Sequence, residues 1–233
     1  MPETDPSKLP ELETFSGLLS DRVYQSLRTA ILKMDFAPGD IIRKSLICER
    51  LGVSRSPVSE ALSKLANEGL VDVIPQSATR VTKLSMQTIR EETFIREALE
   101  VAMVARAAEL RTDEQLGKLQ RNIRMQSMVV EDNDLLEFHR YDEEFHALLV
   151  ACTGFTRLTS TIESLSLQVQ RARLMLLPEP GRVADTVDEH QAILDAVRSG
   201  DPAKSQDAMR LHLRQLMKRL VPLEKERPDI FTQ

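Results

Sequence analysis

A short glycine turn between two predicted helices is the feature of this sequence that most limits its fold. Residues 45–51 place apolar side chains at helical spacing, and Gly52 follows them as a helix-ending residue. Only a few residues later, Ser56 and Pro57 are typical of a new helix, with serine as the N-cap and proline at the first helical position. Two short helices joined by so tight a turn predict a helix-turn-helix.

The residues after Gly69 predict a two-stranded hairpin, or wing. Apolar residues on either side of a polar tip are typical of a β-hairpin. The flanking residues are Val71, Val73, Val81 and Leu84, and the tip contains Gln76, Ser77, Thr79 and Arg80. An earlier helical pattern over residues 18–34 completes a small winged helix-turn-helix domain.

The helix that begins near Ser56 has two unlike faces. Val58, Leu62 and Leu65 recur at helical spacing and predict its buried side. The other side carries Ser56, Ser59, Ser63, Lys64 and Asn67, with Arg55 just before the first turn. Small hydroxyls, a free helix N-terminus and an arginine that can fork onto guanine suit the major groove of DNA. A serine cap alone favours an ordinary solvated helix, but the turn, the wing and the local charge favour DNA binding.

Positive charge is concentrated in this part of the chain. The whole sequence has a net charge of -5, which argues against a generally basic nucleic-acid binder. Residues 21–84 contain ten Lys and Arg against seven Asp and Glu, whereas residues 85–233 contain twenty against twenty-five. The positive balance is therefore local to the predicted helix-turn-helix.

Residues 38–81, PGDIIRKSLICERLGVSRSPVSEALSKLANEGLVDVIPQSATRV, resemble the winged helix-turn-helix of GntR-family bacterial transcription regulators. The family pattern, PG..L....LA..LGVSR(T/S)PVREAL..L..EGLV...P..G..V, is followed without a gap. The resemblance implies that Arg55, Ser56 and Pro57 form the DNA-contacting start of the recognition helix, and that Arg80 lies in the wing.

Two positions depart from the family pattern. Ser59 replaces the usual second arginine, and Ala78 stands where the wing tip normally has a glycine. Without the charge at position 59, operator preference is altered or more of the attraction to phosphates comes from Arg43, Lys44 and Lys64.

From Ser85 onwards the sequence predicts helices only, six or seven in number. Residues 112–115 have the form of a capping box, and Asp201 with Pro202 is typical of a helix start. The predicted fold is mostly α, a winged helix-turn-helix followed by an all-α bundle. We expect a flexible segment at residues 1–17, the DNA-binding domain at 18–84, an effector-binding and dimerisation domain at 85–222, and a tail at 223–233.

All four histidines of the chain lie in the predicted bundle. Asp142 and His146 are four residues apart and share a helix face, while His190 and His212 lie near inward-facing apolar stripes. A single histidine of this kind is more often a hydrogen-bonded core residue than a metal ligand. The joint set of three imidazoles and one carboxylate suits zinc, nickel or a similar divalent ion.

Residues 90–220 resemble the all-helical effector domain of the FadR subfamily of GntR regulators, in its metal-binding variety. The shared motifs are D-x-x-F-H ending at His146, E-H ending at His190, and M-x-x-H-L around His212. The resemblance implies that Asp142, His146, His190 and His212 are metal ligands, and it leaves His139 outside the set.

A further shared motif, R-x-x-L-E, runs from Arg96 to Glu100. We expect Arg96, with Arg171 or Arg173, to bind the carboxylate of an effector, since a guanidinium fork fits that group. The alternative for Arg96 is an intrahelical ion pair with Glu100.

The sequence therefore predicts a homodimeric bacterial transcription regulator that binds a pseudo-palindromic double-stranded DNA operator, a divalent metal and a small organic acid. A metalloenzyme with two histidines and one carboxylate, and a pure metal sensor, remain alternatives. We expect no enzymatic activity, because no recognised motif supplies a catalytic base, nucleophile or cofactor loop. Cys48 and Cys152 lack a CxxC spacing, and no stretch reaches the roughly 18 apolar residues of a membrane span, so we expect a cytoplasmic protein with no membrane partner.

Overall fold

The computed structural model describes residues 3–74, 78–164 and 167–232, without the side chains of residues 163 and 164. The fold is mostly α-helical with one small β-sheet, as the sequence predicts. The chain forms two compact units, one of residues 1–86 with 224–233 and the other of residues 87–223. No helix in the described part of the chain is both long and apolar enough to cross a membrane.

The first unit is a winged helix-turn-helix. Its elements are α1 (Leu19–Leu32), β1 (Ile41–Ile42), α2 (Lys44–Leu51), α3 (Arg55–Asn67), β2 (Val71–Val73) and β3 (Thr79–Val81). Helices α1 and α3 pack against each other, and Val58, Leu62 and Leu65 are buried on the predicted face of α3. The wing is a three-stranded antiparallel sheet in the order β1-β3-β2, not the two-stranded hairpin that the sequence predicts. A two-residue strand is too short to show the alternation by which strands are recognised.

The turn between α2 and α3 depends on Gly52. This residue has φ of 63° and ψ of 33°, the left-handed conformation that glycine adopts with little strain. Helix α3 then begins at Arg55 with Ser54 as its N-cap, two residues before the predicted start. Pro57 is therefore at the third helical position, where the missing N–H has no intrahelical acceptor and is not needed.

Both ends of the described chain are ordered within the first unit. Residues Pro6–Lys8 and Leu12–Thr14 form short 3-10 helices, and Leu9 and Leu12 are buried. At the other end Phe231 is buried, and the backbone of Leu84 bonds to Ile230 and Thr232. These segments are more structured than the flexible start and the tail that the sequence predicts. Isolated apolar residues such as these have no period, so the sequence pattern does not show that they are buried.

Seven helices make up the second unit within the described residues, in line with the six or seven predicted. They are α4 (Met86–Leu110), α5 (Asp113–Glu131), α6 (Leu135–Cys152), α7 (Leu158–Ser164), α8 (Leu167–Leu176), α9 (Arg182–Ser199) and α10 (Pro202–Glu226). The structure confirms the capping box of Thr112 and Gln115, and Asp201 accepts hydrogen bonds from the backbone at the start of α10. Helix α5 packs against both α6 and α9 around an apolar core that includes Leu119, Phe145 and Leu194.

Candidate metal centre and nucleic-acid interface

Four buried side chains from three helices of the second unit meet at one point. Helix α6 supplies Asp142 and His146, α9 supplies His190, and α10 supplies His212. All four are buried, and one potential ligand atom from each lies within 4.8 Å of those of the others. The structure thus brings together the set that the sequence singles out.

The Nε2 atoms of the three histidines are directed at the centre of this cluster. His212 Nε2 lies 3.3 Å from His146 Nε2, and His190 Nε2 lies 3.4 Å from Asp142 Oδ1. Within the described part of the chain, His190 Nε2 is buried and makes no hydrogen bond. A buried nitrogen left in this way is costly unless some other group satisfies it.

Acidic partners hold the outer nitrogens of two of these histidines. His146 Nδ1 lies 2.6 Å from Glu100 Oε2, and His212 Nδ1 lies 2.7 Å from Glu189 Oε2. An ionised carboxylate only accepts hydrogen bonds, so each Nδ1 carries the proton. The lone pair is then on Nε2, which faces the cluster.

The third histidine is held by an amide. His190 Nδ1 lies 2.8 Å from Gln126 Oε1. The Gln126 Nε2 group donates to Asn122 Oδ1 at 2.7 Å and to the Tyr141 carbonyl at 3.3 Å, which fixes its Oε1 as the atom that faces the imidazole. His190 Nδ1 therefore donates, and its Nε2 also presents a lone pair to the cluster.

Three inward lone pairs and a carboxylate repel one another, and a cation at the centre of the cluster would stabilise them. Two unprotonated nitrogens 3.3 Å apart repel, and a proton or a metal ion between them removes the repulsion. Burial holds the pKa of His190 well below its usual value, and a positive charge on His146 or Arg173 lowers it further. Burial does the same to the pKa of His212, which a positive charge on His190 or His146 would lower further. Neutral imidazoles are the form that binds metals, so the residues present fit a divalent ion with three nitrogen ligands and one oxygen ligand.

Arginines and carboxylates surround the cluster. Burial alone would raise the pKa of Glu100, but the charges of Arg96 and His146 outweigh it and hold this pKa far below its usual value. Glu189 lies 3.3 Å from Arg182, and burial raises its pKa despite that pair. Arg173 forms an ion pair with Asp142 through Oδ2. The four inner residues are thus held in place from several sides.

A pocket beside His146 contains two of the three arginines proposed to bind an effector. Arg96 and Arg173 line it, whereas Arg171 is buried on α8 and does not. The other lining residues among those described are Glu143, Ala147, Val150, Thr159, Ile162 and Gln170. Arg96 also makes the intrahelical ion pair that was its alternative role, with Nε 2.6 Å from Glu100 Oε1. The two roles are compatible, because a guanidinium has five N–H groups.

His139 stays outside the cluster, as the resemblance implies, and lies 3.4 Å from Glu143.

Sequence reasoning assigned no role to several residues that position the cluster. Gln126 and Asn122 are buried on α5, four residues apart, and Arg182 is nearly buried on α9. Two amide side chains on the buried face of an amphipathic helix are the signal that could have identified the first pair.

In the first unit, four basic side chains line one concave surface beside the sheet. Arg43, Lys44, Arg55 and Arg80 lie there together with residues of β1 and the ends of β2 and β3. Lys44 donates a hydrogen bond to Ser59 Oγ over 3.4 Å, which places the exposed hydroxyl of α3 at the same surface. The arrangement places the start of α3 and the wing on one concave basic surface.

Three side chains predicted to contact DNA also have partners within the protein. Lys64 lies 2.5 Å from Asp21, Arg43 pairs with Glu3, and Ser56 donates to Glu60 at 3.1 Å. Pro57 is buried and packs within the unit. Gln76 and Ser77 of the predicted wing tip lie outside the described residues.

Comparison with family models identifies both units. Residues 19–81 match the model described as bacterial regulatory proteins, gntR family, and residues 93–215 match the FCD domain. The chain is 32% identical over 215 residues to the HTH-type transcriptional repressor RspR of Escherichia coli K12, covering 92% of this chain and 94% of that protein. It is 34% identical over 210 residues to an uncharacterised HTH-type transcriptional regulator of Streptomyces ambofaciens, covering 90% of this chain and 88% of that one.

Solved structures show the same fold. The E. coli protein McbR/YncC superposes with a TM-score of 0.72 at 22% identity, covering 89% of this chain and 99% of that one. At that level of identity the likeness concerns the fold alone.

Proposed function

This chain belongs to the gntR family of bacterial regulatory proteins, in the FadR subfamily that carries an FCD domain, and from that premise we propose a metal-containing regulator controlled by a small organic acid. Transcriptional regulation follows from the family. The metal, the acid and the homodimer that binds a pseudo-palindromic operator are our proposal.

The observation that carries the metal assignment is the common direction of the three Nε2 atoms. His190 and His212 have their Nδ1 atoms hydrogen-bonded to Gln126 and Glu189, His146 has its Nδ1 2.6 Å from a Glu100 oxygen, and each Nε2 faces Asp142 and the other rings. Metal-bound histidines in proteins are oriented in just this way, by an acceptor on the other ring nitrogen. Zinc or nickel would be held by Asp142, His146, His190 and His212, and its positive charge would attract the carboxylate of an acid.

The balance of charge supports an anionic effector. The acids around the site are Asp142, Glu100 and Glu189, and the cations are Arg96, Arg173 and Arg182. With neutral histidines these formal charges cancel, and Glu143 of the adjoining pocket adds one negative charge, so a divalent ion leaves an excess of one positive charge in a largely buried place. Burying unbalanced charge is costly, and a carboxylate in the pocket lined by Arg96 and Arg173 would reduce the excess.

The proposed DNA contacts lie on the first unit. Arg55 is exposed at the start of α3, where it can reach base edges, while Arg43, Lys44 and Arg80 flank it and can neutralise phosphates. Two copies would place their α3 helices in successive major grooves, about 34 Å apart. Ser56 and Ser59 would approach phosphates, and Arg43 and Lys64 would exchange their ion pairs with Glu3 and Asp21 for contacts with phosphates.

Metal content of ligand variants tests the site directly. We expect His212→Ala to remove most of the bound zinc or nickel, measured by elemental analysis after dialysis, and to lower the melting temperature that added zinc otherwise raises. His139→Ala is the matched control, because His139 lies on α6 but outside the cluster. Retention of metal by His212→Ala, or its loss from His139→Ala alone, would contradict the assignment.

Turnover and metal response separate the two alternatives. A metalloenzyme would convert the acid to product during incubation with the metal-loaded chain. A pure metal sensor would change its operator affinity with metal alone. The proposed function predicts neither outcome, and predicts instead that the acid is recovered unchanged.

A further inference from the structure

We propose that the pocket beside His146 selects a short monocarboxylate with an apolar body, in preference to dicarboxylic and polyhydroxylated acids. This inference rests on the proposed function, because it takes the pocket lined by Arg96 and Arg173 as the effector site. It adds the chemical class of the ligand, which follows from the other side chains that line the pocket.

One side of the pocket is cationic and defines where a carboxylate binds. Arg96 and Arg173 lie on α4 and α8, and His146 of the cluster lines the pocket between them. Arg96 uses its Nε for Glu100, which leaves its terminal N–H groups for another acceptor. A single carboxylate therefore has its partners at this side.

The rest of the described lining contains an apolar group of three side chains. Ala147 and Val150 of α6 and Ile162 of α7 line it, and Thr159 and Gln170 are the neutral polar residues among the lining side chains that are described. An acid with a hydroxyl on every carbon would also place some of its hydroxyls against these apolar side chains, where Thr159, Gln170 and the Glu143 carboxylate are not there to bond them. A buried hydroxyl without a partner weakens binding, whereas methyl groups gain from leaving water.

Glu143 disfavours a second carboxylate. This side chain also lines the pocket, and His139 Nε2 is 3.4 Å from its Oε1. The far end of a dicarboxylate bound to the arginines would approach this like charge, which raises the free energy of the complex. An apolar end meets no such repulsion.

Three five-carbon acids provide the test, since they differ in chemistry and little in length. We would titrate the zinc-loaded full chain by calorimetry with 3-methylbutanoate, glutarate and ribonate. We expect 3-methylbutanoate to bind at least about tenfold more tightly than either of the others. A single methylene in an apolar pocket already changes affinity by about this factor. Equal or tighter binding of glutarate or ribonate would overturn the inference and leave the proposed function standing. Failure of all three acids to bind at millimolar concentration would count against both.

A charge variant tests the argument about Glu143 separately. We expect Glu143→Gln to reduce the ratio of the 3-methylbutanoate affinity to the glutarate affinity by several fold. Glu137→Gln removes the same charge from α6 at a half-buried position that does not line the pocket, where Glu137 pairs with Arg140, and it should leave the ratio unchanged. An unchanged ratio in Glu143→Gln would show that this carboxylate does not select against diacids.

Discussion

The orientation of individual imidazole rings gives the buried cluster its chemistry. Any three buried histidines could form hydrogen bonds with one another, but here the Nδ1 atoms lie 2.6 to 2.8 Å from side-chain oxygens of Glu100, Gln126 and Glu189. These outer partners fix which nitrogen carries the proton. The site therefore depends on residues that touch no metal and that are not histidines.

Gln126 allows this dependence to be measured. We expect Gln126→Leu to weaken zinc binding about 10- to 100-fold, the usual effect of removing the outer partner of a metal-bound histidine. Gln120→Leu makes the same change on α5 at a half-buried position outside the site, where Gln120 contacts Gln191 and Arg198. Competition with a zinc chelator gives both affinities. Equal zinc affinities in the two variants would mean that Gln126 does not position His190.

Arg55 has the clearest predicted role in reading DNA sequence. It is exposed at the first position of α3, next to the wing surface. We expect Arg55→Ala to cost about 1–3 kcal/mol of operator binding and to relax the preference at one base pair in each half-site. Fluorescence anisotropy with single-base operator variants measures both effects. An equal loss on operator and random DNA would identify Arg55 as a phosphate contact instead.

At position 59 the family pattern has an arginine, whereas this chain has an uncharged serine. We expect Ser59→Arg to raise DNA affinity and to steepen the slope of log affinity against log salt by about 0.9, the change for one more neutralised phosphate. The new charge would lie beside Lys44, and a phosphate would relieve their repulsion. Ser199→Arg adds the same charge to the helical unit and should leave the slope unchanged. A slope equal to that of the unsubstituted chain would show that position 59 faces away from the DNA.

At the scale of elements, the turn before α3 depends on the backbone conformation of Gly52. A Cβ at Gly52 would meet no atom within 4 Å, so the backbone conformation alone opposes a larger residue. We expect Gly52→Ala to lower the free energy of unfolding by about 1–2 kcal/mol, the cost of a left-handed conformation for an alanine. Gly117→Ala lies within α5 in an ordinary helical conformation and should raise stability by up to about 1 kcal/mol. Denaturant unfolding measures both, and a neutral Gly52→Ala would contradict the role of the turn.

The same elements show how far sequence reasoning reaches. The turn at Gly52, the buried face of α3 and the cap at Thr112 depend on a few neighbouring residues, so local patterns predict them. Strand β1 and the buried Phe231 depend on partners far along the chain, and no local pattern marks them. Helix periodicity predicts that Asp142 and His146 share a face. It cannot predict that Gln126 meets His190 or that Lys64 meets Asp21, because those pairs form only when helices pack.

On the scale of the whole molecule, regulation requires that a ligand in one unit alter DNA binding by the other. A ligand shifts such an equilibrium only if it binds two states of the protein with different affinity. The second unit combines a buried cluster suited to a metal with an adjoining pocket that contains Arg96. The first unit contains the surface proposed for DNA. The central claim is therefore a thermodynamic coupling between acid and operator that requires the metal.

Operator affinity measured with and without acid tests this claim most directly. A duplex selected from a random pool by the zinc-loaded chain would serve as operator, with fluorescence anisotropy as the readout and 3-methylbutanoate as the first acid. We predict that saturating acid changes the affinity about 5- to 150-fold, and that the change disappears after zinc removal or in Arg96→Ala. An unchanged affinity with acid demonstrably bound, or the full change produced by zinc alone, would contradict the account.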